Sequence, residues 1–384
     1  MRGRYLSGLF LAASLFNASG NVSQAAETIV PGYQPRMDSD EAGLWLEADQ
    51  LESALRQSPQ HVADEALNDY LETLVCGLAG AQCASIRVLA IETPESNAFC
   101  LPNGTMVVQT GLLLRMENEA QLAFVLGHEL AHYLKRHSLT HHEARRNIEG
   151  SMHLLWMLSG FTLLPKLLAD GWLAAHDRDQ EREADADGFN AAVGLGYDPR
   201  QAEIIWSNVE QEESANPKRS SPSLFLADHP TNKERLAAMK QRAGELQAQM
   251  QANNLGTEAF RAVILPLRSA WLEQEINRGE FSESIAVLQR LIKSDPGDGH
   301  LQYYLGESYR RRNEKGDNDR ALAAYRAAIA GTNAPVAAHR SLGLVALKSG
   351  QKTAAREAFH QYLALAPDAN DRPTVEYYLK TIGE

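Results

Sequence analysis

Apolar residues recur at helical spacing between Glu41 and Leu78 (Leu44, Leu51, Leu55, then Leu67, Tyr70, Leu71, Leu74). This pattern predicts two helices, broken near Pro59. Before them, residues 27–40 with Pro31, Gly32 and Pro35 read as an extended entry. In 85–91, Ile86, Val88 and Ala90 share one side, as in a strand. Pro102 and Asn103-Gly104 signal a turn, and the β-branched run 105–110 predicts a second strand ended by Gly111. Asn118 with Gln121 reads as a helix cap and capping box, opening an apolar helix through Leu122, Phe124, Val125 and Leu126. Residues 151–176 are unusually apolar, but Lys166 interrupts them before a bilayer-spanning length. Two readings stand for that stretch: core or lid helices, or a surface for peripheral contact with membrane or apolar substrate.

Beyond Leu267 the pattern changes. Gly279, Gly316 and Gly350 each break a helix and precede an Ala-rich amphipathic one, at spacings of 37 and 34 residues. Leu305-Gly306 and Leu342-Gly343 recur in step, and Pro296, Pro335 and Pro367 close successive units. A helix pair of about 34 residues is the tetratricopeptide period. The expected fold class is α+β, mainly α: a first domain with a small β-sheet, then an α-helical repeat solenoid. The expected boundaries are 1–25 for an export signal, 26–262 for the first domain and 263–384 for the repeats.

The export signal rests on Arg2 and Arg4, an apolar run over 6–16, and Ser23-Gln24-Ala25 as a small-x-small cleavage site. It points to a mature chain outside the cytoplasm, in a bacterial periplasm. The formal net charge of −12, without a basic run, argues against nucleic acid as a partner. In an oxidising compartment Cys76 and Cys83 can close a small disulfide loop; equally, both can be small buried hydrophobes. Cys100 is left over, and a metal-ligand role for it is disfavoured by a better candidate downstream.

The chemistry lies in His128-Glu129-Leu130-Ala131-His132. Residues four apart share a helix face, so His128 and His132 can aim two imidazoles at one zinc ion. Glu129 can then act as general base on a metal-bound water. His137 is a poor third ligand, because a continuing helix turns it about 140° from His132; it reads either as a surface residue or as one standing behind the metal ligands, with His141 and His142 solvated. Glu181, in Glu181-Arg182-Glu183-Ala184-Asp185, is the better one. Asp185, on the same face, can bond the far nitrogen of a ligand histidine. Glu183 and Asp187 are expected to face elsewhere. Substrate is expected to add as a strand to Thr105, Met106, Val107, Val108 and Gln109, taken as an unpaired edge.

The ordered set of HExxH, Glu181-x-x-Ala184-Asp185 and His229-Pro230 with Arg235 resembles the gluzincin metallopeptidases related to HtpX and the CAAX prenyl endopeptidases. Asn97-Ala98-Phe99 and Thr110-Gly111-Leu112 fit the same pattern, and the likeness covers roughly residues 40–240. With an export signal and C-terminal repeats, it is most similar to the periplasmic β-barrel assembly-enhancing type. The resemblance implies one zinc per chain, peptide-bond hydrolysis, and misfolded or stalled envelope proteins as substrates. It also implies that the repeats dock a protein partner, such as the outer-membrane assembly machinery. For His229 it suggests a hydrogen bond to the tetrahedral oxyanion; a plug on the fourth zinc position is the other reading. Arg235 is expected to support the site through a carboxylate pair. From another class, a repeat-based chaperone or adaptor with a latent zinc site remains the alternative.

Overall fold

The computed structural model describes residues 29–139, 178–217, 229, 233–247 and 254–383. The expected export signal, the apolar stretch 151–176, His141, His142 and Pro230 lie outside the described residues.

The two helices expected first are α1 (Asp40–Gln57) and α2 (Glu65–Ala79). Each opens on a side-chain cap: Ser39 accepts from the Ala42 N–H and Asp64 from the Leu67 N–H. Cys76 and Cys83 form a disulfide across the end of α2. A three-stranded sheet follows: β1 (Arg87–Ile91), β2 (Ala98–Cys100) and β3 (Thr105–Gln109).

The strand order is β1-β3-β2, with β1 parallel and β2 antiparallel to β3. This corrects one expectation. Thr105, Met106, Val107, Val108 and Gln109 form the central strand, paired on both sides and buried at every position, not an unpaired edge. A strand buried on both faces loses the apolar–polar alternation, and Met106-Val107-Val108 shows that loss. The edges are β1 and β2.

Helix α3 (Thr110–Arg115) leaves the sheet directly, and α4 (Glu119–Leu134) carries the HExxH sequence. Asn118 caps α4 by accepting from the Gln121 N–H. The Gln121 side chain reaches the Glu117 N–H, one residue before the cap. All residues of α4 from Ala120 to Tyr133 are buried. Helices α5 (Arg178–Gly194), α6 (Arg200–Ser214) and α7 (Lys233–Gln247) complete the first half, with α5 lying along α4.

The repeats are helix pairs: α8 (Thr257–Asn277) with α9 (Phe281–Ser294), α10 (Gly299–Arg312) with α11 (Asp317–Ala330), and α12 (Ala337–Lys348) with α13 (Lys352–Leu365). Helix α14 (Arg372–Thr381) closes the stack. Gly279, Gly316 and Gly350 make the turn inside each pair at φ of 86°, 85° and 77°, a region that favours glycine. The repeated Leu-Gly has a packing cause. A Cβ at Gly306 would stand 2.5 Å from the Tyr325 ring, and one at Gly343 the same distance from Phe359. The expected boundary at 262/263 falls inside α8, which packs against α2, α3 and α4 on one side and α9 and α10 on the other.

Candidate active site

Three helices bring the site together. His128, Glu129 and His132 come from α4, Glu181 and Asp185 from α5, and Arg235 from α7, with His229 four residues before α7. The α4–α5 contact is backbone on backbone: a Cβ on Gly188 would stand 2.5 Å from the His128 nitrogen. This close crossing lets a carboxylate on α5 reach imidazoles on α4.

His128, His132, Glu181 and His229 are buried, and one ligand atom from each lies within 4.8 Å of the others. His128 Nε2 is 3.0 Å from His132 Nε2 and 3.2 Å from His229 Nδ1. Glu181 Oε1 lies 3.0 Å from His229 Nδ1 and 3.5 Å from His132 Nε2. Its Oε2 is 3.6 Å from His128 Nε2. Metal–ligand bonds of about 2.0–2.1 Å in a tetrahedron place ligand atoms about 3.3 Å apart. The observed separations bracket that value. Facing nitrogens this close cannot all carry protons, so converging lone pairs favour a cation at the centre. Three imidazoles and a carboxylate are a zinc donor set.

The surrounding groups hold these four side chains. His128 Nδ1 is 3.1 Å from Asp185 Oδ1. Arg235 donates to both Asp185 oxygens at 2.7 and 2.8 Å, and its Nη1 lies 2.5 Å from Glu181 Oε2. Its guanidinium sits over the Trp206 ring of α6, 5.0 Å from the centroid. Glu129 is buried, with Oε1 3.3 Å from His229 Nε2. Cys100 stands apart, a free thiol on β2.

Residues 63–243 match the model of peptidase family M48, and 275–315 and 314–370 that of the tetratricopeptide repeat. The chain carries a peptidase family M48 domain followed by tetratricopeptide repeats. Among its relatives, the mitochondrial metalloendopeptidase OMA1 of Bos taurus is 26% identical over 209 residues, 50% of this chain and 39% of that one. The mitochondrial metalloendopeptidase OMA1 of Arabidopsis thaliana is 31% identical over 192 residues, 46% and 36% of the two chains. The beta-barrel assembly-enhancing protease of Escherichia coli is 26% identical over 210 residues, 50% and 42%. The chain spans less than half the length of each of these three relatives.

The M48 domain also sets the protonation of these side chains. Burial, followed by the neighbouring positive charges, pushes His132 well below the ordinary histidine range, so it is the neutral imidazole a metal needs. Burial alone would raise the Glu181 carboxyl, but His229, His128 and Arg235 outweigh it and hold it at about 2. Burial likewise opposes ionisation of Asp185, and Arg235 and His128 keep it below its ordinary range. Glu129 differs: burial raises it, against the pull of His229 and His128.

Two M48-domain features escape the sequence pattern. His137 takes the second of its two expected places, buried behind His132, but Glu183, expected to face elsewhere, pairs with it. Trp206 floors Arg235 from a helix with no motif of its own. Among the described residues no helix is long and apolar enough to cross a membrane.

Proposed function

We propose that this chain is a zinc-dependent endopeptidase of envelope protein quality control, held latent at rest by His229. The convergence of His128, His132, Glu181 and His229 around one point, with Glu129 against the outer nitrogen of His229, carries the reading. Relatives named metalloendopeptidase and beta-barrel assembly-enhancing protease support it. The basic, apolar N-terminus supports export to a periplasm. Misfolded or stalled outer-membrane proteins are the proposed substrates, and the repeats the proposed docking surface for a protein partner.

His128, His132 and Glu181 would hold the zinc, oriented by Asp185 and Arg235. When bound, zinc polarises the scissile carbonyl and acidifies the attacking water. Glu129 takes the water's proton and passes it to the leaving amine; its raised affinity for protons suits both halves of that task. His229 Nδ1 stands where a fourth ligand belongs, and its Nε2 engages the base. With both groups so occupied, His229 must withdraw before substrate and water enter. This geometry favours the plug over the oxyanion role.

Strand β2 takes over the substrate role first given to β3. The Asn97–Gln109 and Leu101–Thr105 backbone bonds place Ala98 and Cys100 in the alternate register, with their peptide groups turned away from β3. Strand β2 also packs on α4 beside Glu129. An extended peptide could pair along it.

Cleavage of casein and of an unfolded outer-membrane protein tests both parts, with bound zinc measured alongside. Glu129→Gln should keep zinc and lose about 10²-fold or more of the rate. His229→Ala should cleave faster than wild type. Equal cleavage by Glu129→Gln would sink the enzyme reading and favour the adaptor; a slower His229→Ala would restore the oxyanion role.

A further inference from the structure

Each histidine of the site uses one nitrogen toward the cluster, and the other nitrogen meets a partner. For His128 that partner is Asp185, and for His229 it is Glu129. For His132 it is His137, whose Nδ1 lies 2.9 Å from His132 Nδ1 with the rings edge to face. The Nε2 of His137 is in turn 3.3 Å from Glu183 Oε2. Lys135 fixes the other side of that carboxylate, with Nζ 2.7 Å from Glu183 Oε1 and 3.2 Å from Asp187 Oδ2.

The backbone is bent to make this contact. Helix α4 ends at Leu134, and Arg136 sits at φ 58°, a left-handed conformation uncommon for a residue with a Cβ. A continuing helix would carry His137 about 140° away from His132. The turn instead folds it back. The N-terminal segment braces the turn: Arg136 pairs with Glu41 and donates to the Tyr33 hydroxyl at 3.1 Å, with its guanidinium over the Tyr33 ring.

Proton placement along this row follows from one condition. If His132 offers the Nε2 lone pair to zinc, its proton is on Nδ1. That N–H donates to His137 Nδ1, which must then be a lone pair. His137 therefore carries its proton on Nε2 and donates it to Glu183. We propose that His137, backed by Glu183, is a positioning residue that fixes the tautomer and ring orientation of His132, as Asp185 does for His128. This rests on the zinc reading above and extends it to residues outside the ligand set.

The full-length chain is tested by zinc competition against a chromophoric chelator, by the visible absorption of the cobalt-substituted protein, and by melting of the metal-free form. His137→Ala should weaken zinc binding about 10–100-fold and shift the cobalt bands. His137→Gln, whose amide oxygen can accept the same proton, should recover part of that loss. Glu183→Ala, at a half-exposed site that folding tolerates, should weaken binding in the same direction by less. Wild-type zinc affinity in His137→Ala and Glu183→Ala, even with a lower melting point, would make the pair purely structural and overturn the proposal. A wild-type chain that takes up no zinc would overturn the zinc reading itself, and this inference with it.

Discussion

Glu52 shows how one side chain couples elements that no motif connects. From α1 it accepts from Arg87 at 2.9 Å, Thr105 at 2.6 Å and Arg56 at 2.8 Å, tying β1 and β3 to the helix. Burial alone would raise its carboxyl, but these donors hold it at about 2, against an ordinary 4.5. A depressed carboxyl stabilises the fold fully above its unfolded value, and that contribution is lost as pH falls through the folded one. Urea titrations should therefore show wild type more stable than Glu52→Gln at neutral pH. The gap should close between about pH 4.5 and about pH 2. An unchanging gap would mean that the charge is irrelevant there. At this scale His128, Glu129 and His132 were legible because helical spacing alone puts the two imidazoles on one face. Which of its two readings His137 takes was not, because the contact with His132 depends on a left-handed Arg136 held by Glu41 and Tyr33. Nothing within the local sequence specifies that contact.

Among the elements, α4 and α5 form the joint on which the site depends. Gly127 and Gly188 let the two backbones touch, and a Cβ on Gly188 would stand 2.7 Å from the Gly127 carbonyl carbon. Gly188→Ala must push α5 outward, carrying Glu181 and Asp185 with it. The expected cost is about 1–3 kcal/mol of stability, with weaker zinc retention on dialysis against chelator. Unchanged stability and retention would mean that the crossing is not tight. Helix positions and repeat turns were well marked in the sequence, since apolar spacing, caps and glycines are local signals. The rank of β3 in the sheet was not. A short β-branched run shows a strand, while the strands beside it are decided by chain tracing through β2.

Over the whole molecule, the M48 domain and the repeats share a contiguous apolar cluster, from Leu67 and Leu122 to Leu288 and Phe359. A buried charge network crosses the same contact. Arg115 of α3 donates to Glu212 of α6 at 2.8 Å and to Glu275 of α8 at 3.0 Å. Arg290 of α9 reaches Glu212 at 2.7 Å, and Arg278 reaches Glu275 at 2.9 Å. Removing Glu275 leaves two arginines, the buried Arg115 and the largely buried Arg278, each short of one of its two carboxylates. Glu275→Ala should thus cost about 3–5 kcal/mol in chemical denaturation, whereas removing Asp38 from its exposed pair with Arg36 should cost about 0–1 kcal/mol. Similar costs for both would show that the network bears little on stability. The sequence by itself determined the helices, the repeat period and the motifs that carry His128, His132 and Glu181, because each is written at spacings within a few turns of one element. Only the tertiary structure decided that β3 is central, that His229 Nδ1 stands beside His128 and Glu181 and that His137 backs His132. Each of those depends on which distant segments pack together, and packing is settled by the shared core and by close contacts such as that of Gly127 with Gly188.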